Sequence, residues 1–383
     1  MNTADFSSNS PGRLVTIPEG TLAFVPNPMP RTLPMAHPLP LLVEQASRDL
    51  GRLFERAHRL PNPSLLIDPL LKIEAELSSR IEGTIASQEE LALLATPGIE
   101  RAVRPEVQEV QNYVEALRFG LKELDKLPIS LRLIRYLHER LMKGVRGQGQ
   151  RPGEFRTVQN QVSKPNQSIA EARYVPPPPQ EMTRCLHEFE NDVHGLKSSG
   201  MPQLVQAALI HYQFEAIHPF RDGNGRIGRM LIPLFLAERG LLPYPLIHVS
   251  AFFETHRTEY ADRLLQVSLA GAYPSWVEFF LTGLSQEANR SIKLCSDLLD
   301  LREEYLRLVQ MKRASSLLPK LIDFLFTVPV MTIPLAATIA NVTYAAAKAN
   351  VLKLESAGIL SPVSQSKSIK LWKAERIIHL LSR

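Results

Sequence analysis

From Leu41 almost to the C-terminus, apolar residues recur at helical spacing, with short proline and glycine punctuation between the segments. The pattern predicts a mainly α fold. Ahead of it, residues 1–40 hold Pro11, Pro18, Pro26, Pro28, Pro30, Pro34, Pro38 and Pro40 and no helical period, so an extended Pro-rich arm on the surface is expected. Asp68 followed by Pro69 marks a helix start and Gly83 its stop. Gln203 to Ile217 is apolar on nearly every side and too long for one buried strand, which predicts a core helix ended by Pro219. After a glycine turn, Asn224 reads as the N-cap of a second helix over Gly225 to Arg239, closed by Gly240.

In the middle of the chain the helical period breaks. Behind Arg151, Pro152 and Gly153, the stretches 157–159 and 172–176 read as extended around the turn-rich Lys164 to Ser168. A small β-hairpin flap, closed by Pro176 to Pro179, fits this pattern as well as an irregular loop does. Beyond Ser285 a helix is expected over Glu287 to Met311. Then come helices over Leu317 to Phe326, Ile333 to Ile339 and Thr343 to Ser356, with strands over Ala357 to Leu360 and Ser368 to Trp372. That order predicts a C-terminal winged helix-turn-helix with Thr343 to Ser356 as its recognition helix.

Composition narrows the classes. The 383 residues are 44% apolar and 22% charged, enough for a sizeable core in two or three domains. Two cysteines, Cys185 and Cys295, offer neither a disulfide framework nor a cysteine-rich zinc site, which favours a reducing compartment. No apolar run approaches the roughly 20 residues needed to span a bilayer and the first residues lack a signal-peptide pattern, so a cytoplasmic protein with no membrane contact is expected. The net charge of +5 sits in the tail, where residues 313–383 carry nine Lys or Arg against Asp323, Glu355 and Glu375.

The chemistry concentrates between His218 and Arg229. Gly223, Gly225 and Gly228 match GxGxxG, but a helix precedes them where a dinucleotide site needs a strand. Neither a P-loop nor HExxH occurs. What the loop offers is backbone amides from a glycine turn and a helix N-terminus, an anion site suited to phosphates. Arg226 and Arg229, one turn apart, add guanidinium groups on the same face. Asp222 supplies a hard oxygen for Mg²⁺, and His218 is the side chain able to accept a proton at neutral pH. A lone histidine at a helix end is usually a capping residue, and an arginine pair is usually a solvated face. Gathered within twelve residues, these groups point to phosphoryl or nucleotidyl transfer.

His218 to Arg229 matches HPFx[DE]GNGRxxR at every fixed position, and on this motif the chain resembles the Fic domain proteins. The likeness extends to Glu74–Thr84, to the Arg151–Gly153 turn and flap, and to Gln213–Ile217. It implies an N-terminal helical region over 41–125 carrying an inhibitory helix, a Fic core over 126–285, a linking helix over 286–312 and a winged helix over 313–383. It further implies a protein adenylyltransferase using ATP and Mg²⁺, with His218 as general base toward a Ser, Thr or Tyr hydroxyl of a target protein. Gln213, Pro219, Phe220, Arg221, Asp222, Gly223, Asn224, Gly225, Arg226 and Arg229 would form the ATP site, with Phe220 anchoring the loop and Asp222 holding the metal. The target would dock on the flap over 157–177 by strand addition. Gly223 and Gly225 argue for AMP transfer rather than phosphate transfer. Ser78, Glu82 and Gly83 match the family's inhibitory [ST]xxxE[GN], so Glu82 is expected to pair with Arg229. The resemblance allows self-modification and a homodimer, and leaves removal of AMP open as the reverse reaction. A DNA-binding regulator is the rival from another class, weakened because residues 343–356 carry only Lys348 and Lys353 against Glu355 and no arginine.

Overall fold

The computed structural model describes residues 1–58, 64–94, 104–145, 149, 151–163, 167–310, 317–363 and 370–382. It is mainly helical, as the periodicity predicts. A β-hairpin, β1 (Gly12–Thr16) and β2 (Leu22–Pro26), precedes α1 (Leu39–His58), α2 (Ser64–Ile81), α3 (Gln88–Leu94), α4 (Pro105–Glu123) and α5 (Leu131–Leu141). Then follow α6 (Pro179–Gly195), α7 (Gln203–Ile217), α8 (Asn224–Glu238), α9 (Ser250–Thr255), α10 (Arg257–Ala270) and α11 (Tyr273–Gln310). The C-terminal unit holds α12 (Leu318–Thr327), β3 (Val330–Thr332), α13 (Ile333–Ala340), α14 (Tyr344–Ser356), β4 (Ser361–Pro362), β5 (Leu371–Lys373) and α15 (Glu375–Leu381). Its three strands form an antiparallel sheet in the order β3-β5-β4.

Helix α7 lies at the centre because it is apolar all round. It packs on α6, α8, α10 and α11, while α2 is held among α4, α9 and α12. Among the described residues no helix is long and apolar enough to cross a membrane.

Several local expectations change. The N-terminal arm is not a surface strap: Ala23, Phe24 and Val25 are buried, and the Phe24 amide donates to the Val175 carbonyl at 2.9 Å. Apolar burial in β2 overrides the proline signal. Helix α2 begins at Ser64 rather than Asp68, with Pro69 inside it; burial of Leu66, Leu70 and Leu71 outweighs the hydrogen bond that Pro69 cannot donate. The flap is reduced to a single antiparallel bridge between Val162 and Tyr174, with 164–166 outside the described residues. The linking helix does not start at residue 286, since α11 runs unbroken from Tyr273 to Gln310 across that boundary, and Met311 lies outside the described residues.

At the tail, β4 begins at Ser361, past the strand expected over Ala357 to Leu360, and Ser368 and Ile369 lie outside the described residues. The C-terminal unit packs against α2 as well as α11, through α12 and α15. Lys72 of α2, buried, donates to the Thr327 carbonyl at 2.8 Å; burial lowers its pKa to about 8. Arg302 to Asp323 and Arg376 to Glu304 tie the unit to α11 with paired bonds of 2.6 to 3.2 Å. Truncation after Gln310 is therefore expected to uncover one face of α2 and lower the melting temperature, by about 1–2 °C per kcal/mol lost at roughly 2.1 cal/mol/K of unfolding entropy per residue. Calorimetry of the two proteins checks it; an unchanged melting temperature would show the tail to be an independent unit.

Candidate active site

The loop between α7 and α8 is built from glycine geometry and two aromatic supports. His218 ends α7 in the left-handed conformation, φ 50°, with its amide on the Phe214 carbonyl at 3.0 Å. Gly223, φ 79°, opens α8. Asn224 is the first residue of α8 rather than its cap: its amide side chain accepts from the Phe220 N–H and donates to the Phe220 carbonyl, both at 2.8 Å. Gly223 takes the cap position because it adopts positive φ without strain. The asparagine instead closes the turn that carries Asp222.

Phe220 is fully buried, with its ring stacked on His138 at 3.7 Å and tilted on Phe155 at 5.2 Å. The His138 Nδ1 accepts from the Gly153 N–H at 2.9 Å, so Nε2 carries the proton and donates to the Asp222 carbonyl at 3.0 Å. Burial lowers its pKa to about 4, in keeping with a neutral ring. Phe220→Ala is expected to cost about 3–5 kcal/mol, the range for emptying a packed aromatic site. Denaturant unfolding measures it, and a loss under about 1 kcal/mol would mean that the ring does not anchor the loop.

Arg156 ties the flap to the same loop. Its guanidinium donates to the carbonyls of His218 at 2.9 Å, Val158 at 3.1 Å and Pro177, and its amide to the buried Pro219 carbonyl at 2.9 Å. Neither His138 nor Arg156 was singled out by the loop's own sequence pattern. Both lie more than 60 residues from it, and each acts through backbone carbonyls that leave no mark on side-chain identity.

The two motif arginines are buried and differ in their partners. Arg229 gives Nε to the Ser78 hydroxyl at 3.0 Å, and Nη2 to the Ser78 carbonyl at 2.9 Å and to Glu82 Oε1 at 2.6 Å. Burial opposes charge on Glu82, but Arg229 prevails and holds its carboxyl below the usual range. Gly225 makes this approach possible, since a Cβ there would stand 2.3 Å from Glu82 Oε1. Arg226 gives Nη1 to Glu109 Oε2 at 3.2 Å, an oxygen that also accepts the Thr84 hydroxyl at 2.7 Å. Its Nε is buried with no partner, an unused donor in a site rich in positive charge.

The expected residues mostly converge. His218, with its side chain 19% exposed, opens on the loop, and Asp222, 48% exposed, accepts the Gly223 amide at 2.6 Å and lies 3.7 Å from Arg226 Nη2. Burial, with Arg156 acting the same way, lowers the His218 pKa to about 4. Arg221 is half-buried on the turn. Gln213 is turned elsewhere: it is 1% exposed and gives its amide to the Asn27 carbonyl at 2.8 Å, so the N-terminal hairpin takes the group expected to face the nucleotide. Beside His218 an apolar cavity of about 120 Å³ is lined by Val162, Tyr174, Ala261, Leu264 and Leu265.

Residues 128–236 match the Fic/DOC family and residues 41–122 the Fic/DOC family N-terminal region. The chain carries a Fic domain. Over 120 residues, 31% of the chain, it is 34% identical to a protein adenylyltransferase Fic of Drosophila grimshawi, and the match spans 23% of that protein. Over 114 residues, 30% of the chain, it is 32% identical to a probable protein adenylyltransferase of Aquifex aeolicus, of which the match spans 32%. The matched segment is thus a quarter to a third of these relatives. The fold is that of a Fic family protein from Desulfovibrio desulfuricans, with a TM-score of 0.57 at 18% identity over 91% of this chain and 98% of that one.

Proposed function

We propose that this Fic domain protein transfers AMP from ATP to a Ser, Thr or Tyr hydroxyl of another protein and is restrained by its own Glu82. The observation that carries the reading is the pair of buried arginines beside the His218 loop, one with an unpartnered Nε and the other held by a carboxylate that can withdraw. Arg226 keeps a spare donor beside its Glu109 pair, and the Glu82 partner of Arg229 is 39% exposed, which suits a ligand that brings its own phosphates. The names of the relatives support AMP transfer among the reactions such a site could run.

In this reading the loop amides around Gly223 to Gly225, with Arg226, hold the α and β phosphates, and the apolar cavity beside His218 takes the flat base. Asp222 offers a cation one half-exposed carboxylate; among the described residues no group of three His, Cys, Asp or Glu could hold a metal by protein ligands alone. That donor set fits a Mg²⁺ completed by phosphate oxygens and water, which when bound neutralises phosphate charge. The target hydroxyl gives its proton to His218 as its oxygen forms a bond to the α-phosphorus. The bond from that phosphorus to the α-β bridging oxygen breaks, and pyrophosphate leaves with that oxygen. Val158 and Val162, 46% and 38% exposed on the flap, suit a target segment laid alongside.

Incubation of the protein with a lysate and ATP labelled at the α or the γ position tests this reading. Protein label from the α position alone is expected. Label from the γ position would make it a kinase, and no label even from Glu82→Gly would overturn it.

A further inference from the structure

His218 must become a cation when it takes the target's proton, and its surroundings oppose that. It is largely buried, and Arg156 adds a like charge close by. The carboxylates facing it are Glu82, Asp222 and Glu215. On the function proposed above, Glu82 leaves Arg229 before reaction and Asp222 is committed to the metal. Glu215 remains.

Glu215 sits one turn before His218 on α7. The His218 Nδ1 lies 3.3 Å from the Glu215 carbonyl and 4.0 Å from Glu215 Oε2, so the carbonyl oxygen and one carboxylate oxygen of residue 215 face one ring nitrogen. That fixes the Nδ1 proton and leaves Nε2 as the base. Glu215 Oε1 is buried with no partner, and burial pushes the carboxyl up to about 7. The space for it is made by Gly228, where a Cβ would stand 2.2 Å from Oε1. Gly228 falls at a variable position of the motif and carries no role there; packed against Glu215 it acquires one.

We propose that Glu215, in the room left by Gly228, is a positioning residue that orients His218 and balances the imidazolium formed during AMP transfer. It lines the edge of the apolar cavity beside His218 but holds no phosphate in the proposed site, so its removal should act on turnover more than on ATP binding. The inference rests on the proposed function, and the two can fail separately.

The test uses the full chain with Glu82→Gly as parent. Glu215→Gln is expected to lower kcat about tenfold, the lower part of what proton-transfer assistance contributes, with KM for ATP within twofold of the parent. Glu215→Asp, one methylene shorter, should recover part of the loss. Gly228→Ala should lower kcat similarly by displacing the carboxylate, but should cost little when added to Glu215→Ala, since nothing is left to displace. If Glu215→Gln turns over like the parent, or if Gly228→Ala costs the same with and without Glu215, the inference is overturned. Loss of ATP binding by Glu215→Gln would also overturn it, by making the residue structural. An inactive parent would instead count against the proposed function.

Discussion

Replacing His218 should lower AMP transfer by about 100-fold or more, the contribution expected of a positioned general base, while Mg·ATP still binds. The separation follows from where the contacts lie. Phosphates would be held by loop amides and two arginines, whereas the imidazole faces the volume in front of them and takes its proton from the target. Because His218 has φ 50°, a conformation alanine adopts at some cost, His218→Asn is the better control: asparagine tolerates left-handed backbone and supplies no base. Both variants should bind a fluorescent ATP analogue as the parent does and label protein at background rate. Near-normal labelling by either would remove His218 from the role. An ordinary histidine loses half its free base near 6.5, but burial and Arg156 hold His218 to about 4, so the rate should not fall on moving from pH 7.5 to 6 on account of this residue.

How much of this was legible depended on whether the signal is local. His218, Asp222, Arg226 and Arg229 announce themselves because phosphate chemistry demands those side chains within twelve residues of a glycine turn. The core helix α7 was legible for a related reason: uniform burial leaves uniform apolarity, and it runs from Gln203 to Ile217 as the pattern implied. The N-terminal hairpin was not, since nothing near Phe24 reveals that Val175, about 150 residues on, completes its hydrogen bonding. Asn224 misled because a good capping residue beside a glycine leaves two solutions, and the turn's need for a bracket on Phe220 decided between them. Glu109 and Glu215 carried no pattern of their own. Their roles exist only where α8 brings Arg226 against Glu109 of α4 and Gly228 against Glu215 of α7.

Glu82→Gly should raise the rate of protein labelling about tenfold to a hundredfold. A hydrogen bond between charged groups contributes about 1.5–3 kcal/mol, and each 1.4 kcal/mol is a factor of ten in an equilibrium. The pair qualifies at full strength on one side only: Arg229 is 2% exposed, but Glu82 is 39% exposed and partly reached by water, which argues for the lower half of the range. Removing the carboxylate does not strand the arginine, because Ser78 keeps two bonds to it at 3.0 and 2.9 Å. The fold should therefore survive, and glycine is well tolerated just beyond the helix end. Glu82→Asp, too short to close 2.6 Å without moving the backbone, should activate partly. Initial rates at saturating Mg·ATP decide the matter, since weaker ATP binding cannot then mimic inhibition. Equal rates for wild type and Glu82→Gly would mean that the Arg229 pair is ornamental to turnover. If instead forward transfer is unchanged and removal of AMP from labelled protein is lost, Glu82 serves the reverse reaction by positioning the attacking water. Its half-exposed carboxylate, just past the end of α2 and 2.6 Å from a buried arginine beside the His218 loop, is placed to do either.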